Sequence, residues 1–124
     1  MIKEFSFAVI IQARMSSKRL PGKVMKIINN KTVLETLIKR IQLCPFIDEI
    51  IIATTISKND ENIFNLAKRL GLKVVRGDEE DVLSRFAMAA NKSNCNSIIR
   101  ITSDCPLIDP LIISKLIIKF GKGK

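Results

Sequence analysis

The sequence predicts an α/β fold in which helices cover both faces of a mostly parallel, doubly wound β-sheet. One observation supports this fold class, and a second indicates a single domain. Short runs rich in β-branched residues alternate with segments of helical periodicity, in the order βαβαβαβα. The 124 residues match the usual size of one domain, and no linker or internal repeat divides them. We therefore expect residues 1–124 to form a single domain with right-handed crossovers.

The first strand is predicted at Phe5 to Ile11, a run of β-branched and aromatic residues. The segment that follows, Gln12 to Lys31, has no regular period and contains Pro21, Gly22 and the pair Asn29-Asn30. This part of the chain is interpreted as a strand that runs into a long loop.

The first helix is predicted to begin after Thr32, whose hydroxyl can cap it while Glu35 reaches back in a capping box. Apolar residues at positions 33, 34, 37, 38 and 41 supply its buried stripe, and Pro45 marks its end. The second strand is expected at Glu49 to Ala53.

A second helix is predicted from Asn59 to Leu70, with Gly71 as its stop, and a third strand from Leu72 to Val75. Four acidic residues then run from Asp78 to Asp81. Acidic side chains are favoured at the positive end of a helix dipole, so they predict a third helix that reaches about Lys92.

The fourth strand is expected at Ser97 to Thr102. Asp109 as N-cap and Pro110 at the first helical position predict a strongly apolar last helix, Leu111 to Phe120. Such a helix needs a partner surface, so we expect it to promote a homodimer or other association.

The expected strand order is 3-2-1-4, which places the winding reversal between the first and fourth strands. Ligands of doubly wound sheets bind beyond the carboxyl ends of the strands at this point. The basic loop from Gln12 to Lys23 would then face the loop from Thr102 to Asp109 across one crevice.

The composition excludes several kinds of catalytic site. The chain has no histidine, so Ser-His-Asp and Cys-His catalysis and histidine zinc sites are excluded. The three cysteines are widely spaced and form no C-x-x-C pair, which favours a reducing compartment. The apolar run near the start is too short for a secretion signal or a membrane span. We expect a cytoplasmic protein without membrane contact.

The net charge is +9, and the excess of lysine and arginine lies at both ends of the chain. This charge fits a phosphate-rich small ligand, a nucleic acid or simply a solvated surface. The six phenylalanines are the chain's aromatic residues, and several belong to strand or helix patterns, so no exposed platform for stacking bases is evident.

The loop Q-A-R-M-S-S-K-R-L-P-G-K resembles a cradle for a polyphosphate. Arg14, Lys18, Arg19 and Lys23 supply cations, and small residues allow backbone N–H groups to approach a ligand. Preorganised cations and N–H donors stabilise the charge that a leaving pyrophosphate accumulates. Neither the dinucleotide-binding G-x-G-x-x-G nor the Walker P-loop pattern is present. A flexible basic loop is the alternative interpretation.

Asp104 follows the fourth predicted strand in the segment I-R-I-T-S-D-C-P-L-I-D-P. Magnesium in phosphoryl-transfer sites commonly takes one or two protein carboxylates together with phosphate oxygens and water. Asp104 is therefore a candidate Mg²⁺ ligand. The alternative interpretation is that its side chain only caps the turn in which it lies. For Asp109 the role of helix cap is the preferred interpretation.

Three motifs occur in order along the chain: R-M-S-S-K-R-L-P-G-K, R-G-D-E-E-D-V-L-S-R-F and T-S-D-C-P-L-I-D-P. Together they resemble the cytidylyltransferase family that includes CMP-Kdo and CMP-sialic acid synthetases, most closely its spore coat polysaccharide branch. The resemblance extends over essentially the whole chain. It implies a Rossmann-like fold of the nucleotide-diphospho-sugar transferase type.

The resemblance also implies an activity, in which the anomeric hydroxyl of an acidic sugar attacks the α-phosphate of CTP to form a CMP-sugar and pyrophosphate. The implied partners are CTP, a sugar acid and Mg²⁺, without nucleic acid. Family members continue with further strands that bind the sugar, so the chain is expected to correspond to the nucleotide-binding, N-terminal half. A catalytically silent nucleotide-binding fragment and a basic nucleic-acid-binding module are the alternatives.

The site residues implied by the resemblance follow from matching positions. Arg14 and Lys23 would bind the triphosphate, and Asp104 would ligate the catalytic Mg²⁺. The cytosine and ribose pocket would be lined by Ala13, Ser17 and the segment Arg76 to Arg85, in which Arg85 and Asp78 are the expected nucleotide contacts.

Overall fold

A parallel four-stranded sheet forms the centre of the protein in a computed structural model, which describes residues 6–16 and 22–102. The strands, in chain order, are β1 (Phe7–Gln12), β2 (Ile27–Ile28), β3 (Lys31–Thr32), β4 (Glu49–Thr55), β5 (Lys73–Gly77) and β6 (Ser97–Thr102). The α-helices are α1 (Val33–Gln42), α2 (Glu61–Arg69) and α3 (Val82–Lys92), and short 3-10 helices span Lys23–Met25 and Lys58–Asp60.

The sheet order is β5-β4-β1-β6, which confirms the expected order of the four main strands. All pairs are parallel, and β1 lies between β4 and β6, with Ile10 beside Ile51 on one side and Arg100 on the other. Because the strands run in the same direction, their carboxyl ends meet at one edge of the sheet. The expected α/β class is therefore confirmed.

The two faces of the sheet carry separate apolar layers. On one face, β1 and β4 pack against α1 and α2 through a large cluster that includes Val9, Ile11, Leu37, Ile52 and Ile63. On the other face, a smaller cluster joins the sheet to α3, made of Ile10, Ile51, Ala53, Val75 and Ala89. Alternate residues of one strand thus serve opposite layers, as strand geometry requires.

The start of α1 agrees with the predicted cap. The Thr32 hydroxyl accepts a hydrogen bond from the Glu35 amide at 3.0 Å. The Glu35 carboxylate also lies 3.4 Å from the Arg69 guanidinium and so joins α1 to α2. Gly71 ends α2 with a φ of 74°, as expected for a glycine stop.

The long loop predicted after β1 is partly wrong, because it contains the β2–β3 hairpin. The turn residues Asn29 and Asn30 have φ values of 53° and 69°, as a type I′ turn requires, and asparagine tolerates this conformation better than most residues. Other boundaries also differ from the prediction: α2 begins at Glu61 after a 3-10 turn, β4 continues to Thr55, and β5 continues to Gly77.

The expectations for the end of the chain lie outside the described residues. They concern Asp104, Asp109 and the apolar helix Leu111 to Phe120, together with the dimer expected from it. Within residues 6–16 and 22–102, no helix has the length and apolar character needed to cross a membrane.

A partly exposed ion pair joins the starts of β4 and β5. The Glu49 carboxylate contacts the Lys73 ammonium and accepts a hydrogen bond from the Asn94 amide at 3.2 Å. Burial alone would raise the pKa of Glu49, but hydrogen bonds from Lys73, Ser93 and Asn94 outweigh burial and hold this pKa below its ordinary value. The ionised carboxylate is therefore favoured by folding.

We expect Glu49→Gln to lower the free energy of unfolding at pH 7 by about 1 kcal/mol, because it removes a partly solvated charged contact. A carboxyl pKa lowered by folding contributes stability that is complete above its unfolded value and is lost as the pH falls through the folded value. The variant should therefore lose less stability than the wild type on acidification below about pH 5.

Urea unfolding monitored by circular dichroism at several pH values measures this difference. Glu80→Gln removes an exposed carboxylate and is the control, for which we expect a pH profile close to that of the wild type. Parallel profiles for Glu49→Gln and the wild type would contradict the assigned role of Glu49.

Candidate functional site

The candidate site lies at the edge where the strands end, which is where doubly wound sheets bind ligands. The loop that follows β1 is anchored to this edge from its first residue. The Ala13 amide donates to the Ala53 carbonyl at 3.0 Å, and Ala13 is only 2% exposed. We call residues 13–26 the edge loop; the structure describes its residues 13–16 and 22–26.

One backbone hydrogen bond closes the edge loop. The Gly22 amide donates to the Met15 carbonyl at 2.7 Å. Gly22 has a φ of 74°, so the left-handed conformation at this point favours glycine. The bond places Arg14, which is exposed, and Lys23, which is half-buried, immediately beside a hydrogen-bonded pair. The two cations predicted to bind a triphosphate are therefore the sequence neighbours of the two residues that this hydrogen bond joins.

A buried carboxylate holds the same loop from inside the protein. Asp60 is 1% exposed, and its Oδ1 accepts a hydrogen bond from the Met15 amide at 2.7 Å. Its Oδ2 accepts a hydrogen bond from the Thr55 hydroxyl at the end of β4. Sequence reasoning missed Asp60 because it placed residue 60 inside a helix predicted to begin at Asn59, where an acidic residue is unremarkable.

The acidic turn, residues 78–81, lies across from the edge loop and touches it. The Ser16 hydroxyl donates to the Glu79 carboxylate, and the Gln12 side-chain amide donates to the Val82 carbonyl at 3.4 Å. Sequence reasoning placed Glu79 in the segment expected to line the nucleotide pocket and otherwise explained the acids from Glu79 to Asp81 by the helix dipole. The contact with Ser16 had no sequence signal, because the two residues are 63 positions apart.

The acidic turn is organised by its own carboxylates. Asp78, which is exposed, accepts a hydrogen bond from the Glu80 amide at 2.8 Å through Oδ1. Asp81 caps α3 by accepting from the Ser84 amide at 2.9 Å. The predicted placement of acidic residues at the start of this helix is therefore confirmed.

Arg85 holds the acidic turn from within the protein. It is 2% exposed, and its Nη1 donates to the carbonyls of Asp78 and Glu79 at 2.7 and 2.9 Å. Burial and then the nearby positive charge of Arg14 lower the pKa of Arg85. Its Nε is buried without a hydrogen-bond partner among the described residues.

The side chain of Arg85 also requires glycine at the end of β5. A Cβ added at Gly77 would lie 2.9 Å from Arg85 Cγ and 3.2 Å from Met88 Sδ, which is closer than carbon and sulfur atoms normally approach. The helix that carries Arg85 is thus packed directly against the strand end.

Arg76 does not join this group of residues. Its Nε and Nη2 donate to the carbonyls of Thr55 and Ser57 at 2.7 and 2.8 Å, and its Nη1 contacts Glu61 at 2.7 Å. Its guanidinium also lies 5.3 Å from the centre of the Phe64 ring. In this structure Arg76 therefore fastens β5 to the start of α2.

The other predicted site residues fall into two groups. Ala13, Arg14, Lys23, Asp78 and Arg85 lie on the edge loop or around the acidic turn, and the Ser16–Glu79 contact connects these two segments. Ser17 and Asp104 lie outside the described residues. Among the residues that are described, no cluster of three acidic or cysteine side chains could hold a metal ion.

An open cavity of about 650 Å³ adjoins the edge loop on the side of α1 and α2. Most of its lining is apolar, with two lysines and one amide at the wall: Met15, Gly22, Lys23, Met25, Lys26, Ile28, Val33 and Asn62. The volume is in the range of small-molecule sites.

Comparison with known protein sequences connects this arrangement to a family. The profile described as cytidylyltransferase matches residues 8–123. An uncharacterized protein of Methanocaldococcus jannaschii, MJ1063, is 44% identical over 86% of the chain and 44% of its own length. The spore coat polysaccharide biosynthesis protein SpsF of Bacillus subtilis is 37% identical over 87% of the chain and 47% of its own length. A 3-deoxy-manno-octulosonate cytidylyltransferase of Solibacter usitatus is 38% identical over 88% of the chain and 42% of its own length.

Solved structures show the same fold. A cytidylyltransferase from Leptospira borgpetersenii superposes with a TM-score of 0.90 at 33% identity, over 98% of this chain and 51% of the other. A CMP:2-keto-3-deoxy-manno-octonic acid synthetase complexed with CTP has a TM-score of 0.79 at 21% identity, over 94% and 48%. The Rv0371c protein of Mycobacterium tuberculosis, complexed with manganese, has a TM-score of 0.67 at 20% identity, over 91% and 58%.

The chain spans about half of the length of the relatives that it matches. Its described strands follow the order expected for a Rossmann-like sheet, and the family profile covers nearly all of its residues. The chain belongs to the cytidylyltransferase family.

Proposed function

We propose that the chain is the nucleotide-binding part of a cytidylyltransferase that transfers CMP from CTP to an acidic sugar in surface polysaccharide biosynthesis. The observation that carries the proposal is the edge loop, in which a hydrogen bond between Met15 and Gly22, the neighbours of Arg14 and Lys23 in the sequence, closes the chain at the carboxyl edge of the sheet. The family and the names of the relatives support the nucleotide and the pathway class.

In the proposed reaction, the anomeric hydroxyl oxygen of the sugar attacks the α-phosphorus of CTP. The bond from this phosphorus to the bridging oxygen breaks, pyrophosphate leaves, and the hydroxyl proton is released to a base or to water. Negative charge accumulates on the leaving pyrophosphate, so fixed cations next to it lower the barrier. We assign this role to Arg14 and Lys23.

The fixed path of the edge loop supports this assignment. A cation stabilises a transition state best when its position is set before the ligand arrives, because no reorganisation is then required. The Ala13–Ala53 and Met15–Gly22 bonds set the backbone on both sides of Arg14 and immediately before Lys23. The two side chains therefore start from anchored backbone positions.

The proposed nucleotide contacts around the base are Ala13, Ser17, Asp78, Arg76 and Arg85. Asp78 is exposed at the acidic turn, and Arg85 Nε has no partner within the described residues. The exposure of Asp78 supports its contact with a nucleotide, whereas Arg85 is 2% exposed and supports the acidic turn from within the protein. Arg76 is the weakest member of this set, because its three nitrogens already contact Thr55, Ser57 and Glu61.

We further propose that Asp104 ligates a divalent cation, Mg²⁺, as expected from its place after β6. The described residues do not themselves form a metal cluster, so this assignment depends on the resemblance and on the chemistry of a carboxylate beside a triphosphate. The manganese complex of Rv0371c is consistent with a divalent cation in this fold. Such a cation would neutralise part of the triphosphate charge. A cytoplasmic location and a homodimer remain predictions.

The proposed nucleotide preference is tested by calorimetric titration of the protein with CTP and with ATP, each with and without Mg²⁺ and at two salt concentrations. We expect Mg²⁺-dependent binding of CTP that exceeds binding of ATP. Indifference to CTP together with salt-sensitive binding of RNA or DNA would favour the nucleic-acid module instead. Formation of a CMP-sugar then distinguishes an enzyme from a silent nucleotide-binding part.

Arg14→Ala and Lys23→Ala should each weaken CTP binding by roughly ten- to a hundredfold, because a charge-assisted contact contributes about 1.5–3 kcal/mol. Lys39→Ala removes an exposed cation on α1 and is the matched control for total charge. Titration of the three variants measures the effect, and equal affinities in all three would contradict the role of the edge loop.

Asp104→Asn should reduce the dependence of CTP binding on Mg²⁺ while leaving the circular dichroism spectrum and the urea midpoint close to those of the wild type. Asparagine keeps the size of the side chain but loses the charge that attracts the cation. A variant that retains the full Mg²⁺ dependence would show that another residue binds the metal.

A further inference from the structure

Asp60 occupies a helix-cap position without acting as a cap. It is the last residue of the 3-10 helix Lys58–Asp60 and the N-cap residue of α2, where aspartate is favoured because its side chain can accept from the free amides of the helix. Its side chain makes no cap hydrogen bond here. The carboxylate turns away from its own helix and is almost completely buried.

Both oxygens of this carboxylate hold other segments at the carboxyl edge. Oδ1 accepts from the Met15 amide at 2.7 Å, and Oδ2 accepts from the Thr55 hydroxyl. A buried carboxylate is costly unless it is hydrogen-bonded, and its bond to a backbone N–H is about twice as strong as a neutral one. The contact with Met15 is therefore much more favourable than a solvent-exposed hydrogen bond.

Met15 is the point through which Asp60 can act on the edge loop. The Met15 amide is bound by Asp60, and the Met15 carbonyl is bound by Gly22. Both the amide and the carbonyl of Met15 are thus fixed by hydrogen bonds. Met15 directly follows Arg14, and its partner Gly22 directly precedes Lys23. The negative charge of Asp60 also acts on Arg85, because it raises the Arg85 pKa against the lowering by burial and by Arg14.

We propose that Asp60 is a positioning residue for nucleotide binding: by fixing Met15, it sets the path of the edge loop and so the placement of Arg14 and Lys23. This inference rests on the proposed function, because it takes the triphosphate of CTP as the ligand of the loop. A carboxylate with a purely structural role would affect the stability of the fold without a selective effect on CTP.

The chain offers a matched control for Asp60. Asp48 lies at the opposite edge of the sheet, where its Oδ2 accepts from the Phe7 amide at 2.9 Å. Each aspartate therefore accepts a backbone hydrogen bond, Asp48 from the first residue of β1 and Asp60 from the loop that follows β1. Thr55→Val is a second control, because it removes the other partner of Asp60 and leaves the bond to Met15.

The test combines amide hydrogen exchange at Met15 and Gly22 with calorimetric titration of Mg²⁺–CTP. Both are measured for the wild type, Asp60→Ala, Asp60→Asn, Thr55→Val and Asp48→Ala, in conditions where each protein is folded. Asp60→Asn keeps a side-chain oxygen that can accept from Met15, so it reports on the loop even if Asp60→Ala does not fold.

We expect Asp60→Ala to lose exchange protection at Met15 and Gly22 and to bind CTP at least tenfold more weakly, with Asp60→Asn in between. Thr55→Val and Asp48→Ala should lose stability while CTP affinity changes less than threefold. Unchanged protection at Met15 and Gly22, or equal losses of CTP affinity in the Asp60 and Asp48 variants, would overturn the proposal.

The exchange measurement separates this inference from the proposed function. If the wild type binds no CTP, the proposed function fails, and the exchange data alone decide whether Asp60 fixes the edge loop. If the wild type binds CTP and the Asp60 variants bind it equally well, the function stands and the positioning role is rejected.

Discussion

The parallel pairing of β1 with both neighbours is the constraint on which the rest of the structure depends. Residues Ala8–Ile11 are completely buried, with β4 and β6 at their sides and helical layers at their faces. A strand in this position can place functional groups only beyond its end. The chain does so at Ala13, where the backbone still bonds to β4 and the edge loop begins.

Charged side chains of both signs lie at this edge. Arg14 belongs to the edge loop, and the buried Asp60 binds the Met15 amide of that loop. Glu79 accepts a hydrogen bond from Ser16 of the loop, and Arg85 donates to the Glu79 carbonyl. Each buried charge bonds to a backbone group: Asp60 to an amide, and Arg85 to two carbonyls. Two charged side chains thereby fix segments of irregular backbone that no regular secondary structure holds.

The sequence was sufficient for the parts of the fold that depend on local patterns. Apolar periodicity, the cap at Thr32, the stop at Gly71 and the acids before α3 located the strands and helices, and topology rules then predicted the strand order. The β2–β3 hairpin was missed because its strands have two residues each, too few for any period to be visible. The contacts of Asp60 and Arg85 were missed because they depend on which backbone groups the folded chain leaves unpaired.

The hydrogen bond between Gly22 and Met15 has a consequence for conformational entropy. Bringing two points of a flexible chain together costs entropy that grows with the length between them, and ligands that must close a loop lose affinity by this amount. Here the two ends of residues 15–22 are already joined by protein atoms. A ligand that contacts Arg14 and Lys23 would therefore not have to close this loop, because folding has already fixed the distance between residues 15 and 22.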